Sequence, residues 1–155
     1  MIFPCIFFVI FFDQVTKFLV YSNLELNDIY SFGCLGGFFS ICYFINSGLA
    51  FSLFSDYKYI RLFIVFSRIL LLFLLGRSFY KKKEDERSWI GTGFICGGGI
   101  SNTIDLFVHR GVVDMLYCDL IGISGLDFFY NISFNLADIF ILVGILYCFI
   151  VNRKL

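Results

Sequence analysis

Four long apolar segments constrain this chain more than any other feature. They cover about residues 2–21, 59–80, 88–108 and 134–151. A helix that crosses a bilayer needs roughly 20 predominantly apolar residues, and each segment approaches that length. The chain is 59% hydrophobic and only 15% charged, so it lacks the polar surface that a soluble domain of this size needs. The sequence therefore predicts a single membrane α-helical domain over residues 1–155 with four transmembrane helices.

The placement of basic residues predicts the orientation of these helices. Lysines and an arginine cluster at 81–87 and again at 153–154, whereas residues 18–57 contain no Lys or Arg. Since basic loops stay on the cytoplasmic side, both termini are expected in the cytoplasm. The N-terminal segment lacks the basic start and the cleavage site of a secretory signal peptide, so we expect an uncleaved helix.

The first exterior segment, about residues 31–56, is too apolar for a simple linker. The β-branched and aromatic run Phe38–Ile45 favours a strand. We expect a small β-rich segment that lies on the membrane surface; a short re-entrant or buried segment remains the alternative. A disulfide among Cys34, Cys42 and Cys118 also stays open, because sequence alone does not fix cysteine pairing.

Polar residues within the apolar segments fall in one layer near the exterior face. An ionisable side chain at the centre of a membrane helix costs about 2.5–3.5 kcal/mol, so such residues are functional candidates. Two pairs on separate helices have the spacing Asn-x-x-Asp, and an Asp and a Lys at i and i+4 are expected to form a local ion pair. The layer contains Asp13, Lys17, Asn102, Asp105, Asn135 and Asp138.

Asp114 lies in the apolar run Val112–Leu116 at the same membrane edge. Poor solvation there should raise the pKa of Asp114. If Asp138 lies nearby, the two carboxyl groups would share a proton and act together as acid and base, which is the chemistry of aspartic proteolysis. The sequence contains no zinc motif and no basic nucleic-acid surface. We therefore expect no metal, no cofactor and no nucleic-acid partner.

Four blocks of the chain, in order over about residues 13–145, resemble the lipoprotein signal peptidase (signal peptidase II) family. They are 13–17 (DQVTK), 46–51 (NSGLAF), 97–115 (from GGGISNTID to GVVDM) and 134–138 (FNLAD). The resemblance implies a bacterial aspartic endopeptidase that cleaves prolipoproteins before a diacylglyceryl-modified cysteine. It implies Asp114 and Asp138 as the catalytic pair. It implies supporting roles for Asp13, Lys17, Asn46, Gly48, Asn102, Asp105 and Asn135.

The same resemblance implies the setting of the enzyme. It implies an exterior β-cradle around 31–56, a location in the bacterial cytoplasmic membrane and an active site at its exterior face. The bilayer and globomycin-type inhibitors are the expected partners, besides the prolipoprotein substrates. A monomer is expected.

Three features depart from the family pattern. Leu106 stands where the family usually has Arg, Ser101 stands where it usually has Gly, and the interval between Asp114 and Asp138 is longer than usual. The extra length falls in an exterior loop, where insertions are tolerated. Arg68, within the second apolar segment, is a candidate to supply the missing guanidinium, with Arg110 as a second candidate; snorkelling or a structural pairing of Arg68 is the alternative.

Two other functions are compatible with the polar layer. A proton-coupled transporter or channel subunit would use Asp13, Lys17, Asp105 and Asp138 as a relay. Such a protein would be expected to show broken helices or internal symmetry, and neither is evident in the sequence. A catalytically inactive family member that only binds lipoproteins is disfavoured by the presence of both Asp114 and Asp138.

Overall fold

The computed structural model describes residues 2–31, 39–46, 66, 88–119 and 131–152. Within these ranges the chain forms three helices and a four-stranded antiparallel sheet with the strand order β1-β2-β3-β4. The helices are α1 (Ile2–Asn23), α2 (Ser88–Val108) and α3 (Leu136–Asn152). The strands are β1 (Ile29–Ser31), β2 (Phe39–Asn46), β3 (Val112–Asp119) and β4 (Asn131–Phe134). The second predicted span lies almost entirely outside the described residues.

Helix α2 packs against both α1 and α3, and adjacent glycines make this possible. A Cβ atom at Gly97 would stand 2.8 Å from the Val9 Cβ of α1, and one at Gly98 would stand 2.6 Å from the Ala137 carbonyl oxygen of α3. Only a residue without a side chain permits such close approach of neighbouring backbones. The glycines therefore let α1 and α3 pack closely against neighbouring faces of α2, with their polar residues at one level.

The outer faces of the helices are strongly apolar. Phe3 and Phe7 of α1 are 79% and 70% exposed, and Phe149 of α3 is exposed as well. Among the described residues, Ile2–Asn23 is the one helix that is long and apolar enough to cross a membrane by length and composition, and Leu136–Val151 is a shorter apolar helix. A helical fold with a small antiparallel sheet is thus established, whereas the number of transmembrane helices remains a prediction.

The sheet combines both exterior segments of the chain. Strand β2 lies where the sequence predicts a strand, whereas the sequence analysis predicts no strand where β3 and β4 form. Between β2 and β3, Ile41 pairs with Leu116 and Phe44 pairs with Asp114, so the register shifts at this point. A shift of this kind is a β-bulge, which bends the strand and can re-aim side chains beside it. Cys42 and Cys118 carry free thiols.

Helix α3 begins two residues later than the predicted fourth span. Phe134 ends β4, and Asn135 is the residue between the strand and the helix. Strand β4 is therefore connected to the N-terminus of α3 by this single residue. This connection places the first turn of α3 beside β3, which carries Asp114, because β3 pairs with β4.

Candidate active site

Lys17 lies at the centre of a buried polar cluster. Its side chain is 1% exposed, and its Nζ lies 2.6 Å from Asp13 Oδ2 and 2.7 Å from Asp105 Oδ2. It also donates a hydrogen bond of 3.0 Å to Asn102 Oδ1. An ammonium group has three donors, and three acceptors surround this one. The predicted pair between Asp13 and Lys17 is confirmed, and α2 adds a second carboxylate to it.

Asp13 connects α1 to both other helices. Its Oδ2 accepts a 2.7 Å hydrogen bond from Ser101 Oγ of α2, and its Oδ1 accepts one of 2.8 Å from the Ala137 backbone N–H of α3. The first N–H groups of a helix have no partner within the helix, and a carboxylate is favourable at this end. Asp13 therefore fixes the N-terminus of α3 against α1.

Asp105 makes the corresponding connection from α2 to the sheet. Its Oδ2 accepts a 3.1 Å hydrogen bond from the Val113 N–H of β3, one residue before Asp114. Its Oδ1 accepts a bond of 2.8 Å from Gln14 Nε2, which also donates to Ser101. The sequence analysis gave neither Gln14 nor Ser101 a role, although Gln14 is a polar residue directly after Asp13 in an apolar helix.

Asp138 receives hydrogen bonds from two asparagines. Asn102 Nδ2 of α2 donates to Asp138 Oδ1 at 2.9 Å, so the two Asn-x-x-Asp pairs meet. The Asn135 N–H donates to Asp138 Oδ2 at 3.2 Å, and the Asp138 N–H donates to Asn135 Oδ1 at 3.0 Å. This reciprocal pair is a capping box with Asn and Asp in place of the usual residues. Asn135 and Asp138 thus do not share a helical face as the spacing suggests; Asn135 caps the helix.

Asp114 is buried at 3% exposure in β3. Its Oδ2 accepts a 2.9 Å hydrogen bond from Ser133 Oγ of β4, and its Oδ1 accepts one of 3.3 Å from Asn135 Nδ2. Burial, together with the charge of Asp138, raises the pKa of Asp114 to about 6, although hydrogen bonds from Ser133 and Asn46 and the charge of Lys17 act against the rise. The expected rise in this pKa is confirmed.

The Asn135 side chain therefore links the two candidate catalytic acids. Its Nδ2 donates to Asp114 and to the Val113 carbonyl oxygen, while its Oδ1 binds the Asp138 backbone. Because Asn135 is fully buried, this link is shielded from water. Two carboxyl groups from a strand and a helix are held as neighbours in poorly solvated surroundings, which favours their sharing a proton.

Some of the predicted site residues are not tested by this geometry. Gly48 and Arg68 lie outside the described residues. Leu106 is buried in α2, and Arg110 is exposed in the turn before β3, with a positive φ of 61°. Within the part of the chain that the structure describes, no group of three or more His, Cys, Asp or Glu residues is arranged to hold a metal ion.

Comparisons with known proteins find a matching family, similar relatives and a similar solved structure. The family described as signal peptidase (SPase) II matches residues 5–153. A lipoprotein signal peptidase of Borreliella afzelii is 35% identical over 161 residues, covering 99% of this chain and 92% of the relative. That of Chlamydia felis is 38% identical over 150 residues, covering 90% and 83%. A bacterial membrane enzyme solved by the in meso method at 2.3 Å resolution superposes with a TM-score of 0.80 at 24% identity, covering 99% of this chain and 87% of the other.

Proposed function

Because this chain belongs to the signal peptidase II family, we propose that it is an aspartic endopeptidase that removes the signal peptides of prolipoproteins. The proposed cleavage lies directly before the cysteine that carries a diacylglyceryl group. The observation that carries the aspartic mechanism is the link through Asn135 between the carboxyl groups of Asp114 and Asp138. The relatives named above are lipoprotein signal peptidases, which supports the substrate class.

In the proposed mechanism the pair of acids holds one proton between them. The ionised carboxylate takes a proton from a water molecule, and the water oxygen forms a bond to the scissile carbonyl carbon. The protonated carboxyl gives its proton to the carbonyl oxygen, so no separated oxyanion develops. When the C–N bond breaks, the leaving amine takes the proton that came from water. The other acid regains its proton from the hydroxyl of the intermediate, and the pair returns to its starting state.

Lys17 sets the orientation of Asn102 in this mechanism. Lys17 can only donate hydrogen bonds, so the atom of the Asn102 side chain that faces it must be the oxygen. The amide nitrogen then faces Asp138, to which it donates at 2.9 Å. A fixed donor at Asp138 holds that carboxyl in place during the reaction. Lys17 is therefore proposed as a positioning residue that acts through Asn102.

An apolar groove between α1 and the sheet supports the proposal that the substrate carries a lipid group. The groove has a volume of about 250 Å³. Thr16, which borders it, donates its hydroxyl to backbone oxygens of its own helix, so this side chain adds no free donor to the wall. Met115 and Leu136, at the groove, directly follow Asp114 and Asn135 in the chain. The complete lining is Thr16, Leu19, Val20, Ile41, Met115, Leu116 and Leu136.

The proposed location is the bacterial cytoplasmic membrane, with four transmembrane helices and both termini in the cytoplasm. In this orientation the sheet and the two acids lie at the exterior face, where translocated lipoproteins emerge. The apolar outer face of α1 and the basic clusters at 81–87 and 153–154 support the arrangement. The enzyme would act as a monomer. The substrate would enter the site sideways from the bilayer, and globomycin-type peptides would compete with it for the site.

The test uses the purified full-length protein in liposomes with two prolipoproteins of the same sequence. One carries the diacylglyceryl group on its cysteine, and the other carries none. We expect cleavage of the modified substrate alone, with mass spectrometry showing the lipidated cysteine as the new first residue. Cleavage at another bond, equal cleavage of both substrates, or cleavage of neither would refute the proposed function.

A further inference from the structure

Ser133 contacts Asp114 directly, and no function described so far uses it. It lies in β4, opposite Tyr117 of β3, and its Oγ is 2.9 Å from Asp114 Oδ2. This hydrogen bond is shorter than the one from Asn135 Nδ2, which is 3.3 Å long. Ser133 is half-buried, at the side of the site where β4 enters α3.

The hydroxyl of Ser133 differs chemically from the amide groups around Asp114. A side-chain amide nitrogen donates hydrogen bonds and accepts none, so Asn135 Nδ2 suits only the oxygen of Asp114 that carries no proton. A hydroxyl group both donates and accepts, and it rotates to suit its partner. In aspartic proteolysis a carboxyl group alternates between its ionised and its protonated form within each cycle. A partner that serves both forms is therefore of particular use there.

We propose that Ser133 is a positioning residue for Asp114, whose hydroxyl donates to the carboxylate and turns to accept from the carboxylic acid. Asp114 then keeps one orientation while it gains and loses a proton, and Asn135 holds Asp114 Oδ1 in place in both states. The inference rests on the proposed function, because it requires that Asp114 changes its protonation state during catalysis. The hydrogen bond from Ser133 also lowers the pKa of Asp114 against the effect of burial.

Several charged or titratable groups face Asp114 from the elements around it. Asp138 of α3 raises the pKa of Asp114, and Lys17 of α1 lowers it. The Cys42 thiol of β2 is held neutral, with its pKa raised to about 12 by burial and by Asp114. Asp105 of α2 binds the backbone of the preceding residue, Val113. A change at Ser133 leaves all these groups in place, so its effect on the titration is separable from theirs.

The test compares Ser133→Thr with Ser133→Val, two side chains of the same shape that differ in the hydroxyl group. Both β-branched residues suit a strand. The measurement is kcat/KM for the diacylglyceryl prolipoprotein as a function of pH, with Ser133→Ala as a third variant in case the larger side chains disturb the strand. Ser31→Ala, in β1 away from the acids, is the matched control; its hydroxyl contacts Ser40.

We expect the alkaline limb of the pH profile to lie at higher pH in Ser133→Val and Ser133→Ala than in the wild type. A hydrogen bond to a charged group is stronger than one to a neutral group, so loss of the hydroxyl destabilises the carboxylate more than the acid and shifts the limb by about one pH unit. Ser133→Thr and Ser31→Ala should keep the wild-type profile. Coincident Thr and Val profiles, or a lower kcat without a shifted limb, would overturn the role of Ser133. Cleavage by Asp114→Asn would instead overturn the proposed dyad itself.

Discussion

Replacing Lys17 with Met removes the centre of the buried polar cluster while keeping most of the side-chain volume. Two buried carboxylates, Asp13 and Asp105, then lose the cation that lies within 2.7 Å of each. Removing one partner of a buried ion pair costs about 3–5 kcal/mol, since the remaining charge stays in poorly solvated surroundings. For a chain of this size each kcal/mol lowers the melting temperature by about 2–4 °C. We therefore expect Lys17→Met to lower Tm by about 6–20 °C.

The assay is thermal unfolding of the purified protein in detergent, followed by the fluorescence of the single tryptophan, Trp89. Val15→Met is the matched control, because Val15 lies on the same helix and is 39% exposed on its outer face. Exposed substitutions of this kind stay within about 0.5 kcal/mol of the wild type. Adding Asp105→Asn to Lys17→Met should restore part of the lost Tm, because it neutralises one unpaired charge. A Tm for Lys17→Met equal to that of Val15→Met would refute this account of the cluster.

Three further changes test other parts of the site. Asn135→Ala removes the cap of α3 and the link to Asp114, so Tm should fall by about 2–4 °C and prolipoprotein cleavage should drop steeply; unchanged cleavage would contradict the link. Gly98→Val should prevent folding, measured as loss of monodisperse protein, because a Cβ atom would stand 2.6 Å from the Ala137 carbonyl oxygen. Arg68→Gln should reduce cleavage at a normal protein level if Arg68 replaces the guanidinium absent at Leu106, and wild-type cleavage would end that hypothesis.

Local spacing predicts the part of the site that lies on one helix. Asp13 and Lys17 are four residues apart, and this distance alone brings their charges together on an α-helix. The apolar run around Asp114 likewise predicts its raised pKa, because burial is a property of the neighbouring side chains. The family resemblance, confirmed by the comparisons, supplies the order of the four blocks and the likeness of the whole chain to signal peptidase II.

Contacts between distant parts of the chain are not predictable in this way. The bond from the Ala137 N–H to Asp13 joins residues 124 positions apart, and the bond from Val113 to Asp105 depends on the sharp turn after α2. Ser133 carries no signal in the sequence, since a single serine in a short strand is common on any surface. Its role becomes visible only when β4 pairs with β3 and brings its hydroxyl to Asp114.

The most direct measurement of the central claim compares wild-type protein with Asp114→Asn and Asp138→Asn on the diacylglyceryl prolipoprotein. Asparagine preserves the shape of each side chain and can neither take up nor release the shared proton. We expect both variants to retain the fold, shown by an unchanged helical circular dichroism spectrum, and to lose cleavage by at least about a hundredfold, the usual contribution of a general acid or base. Wild-type cleavage by either folded variant would contradict the assignment of Asp114 and Asp138 as the catalytic pair.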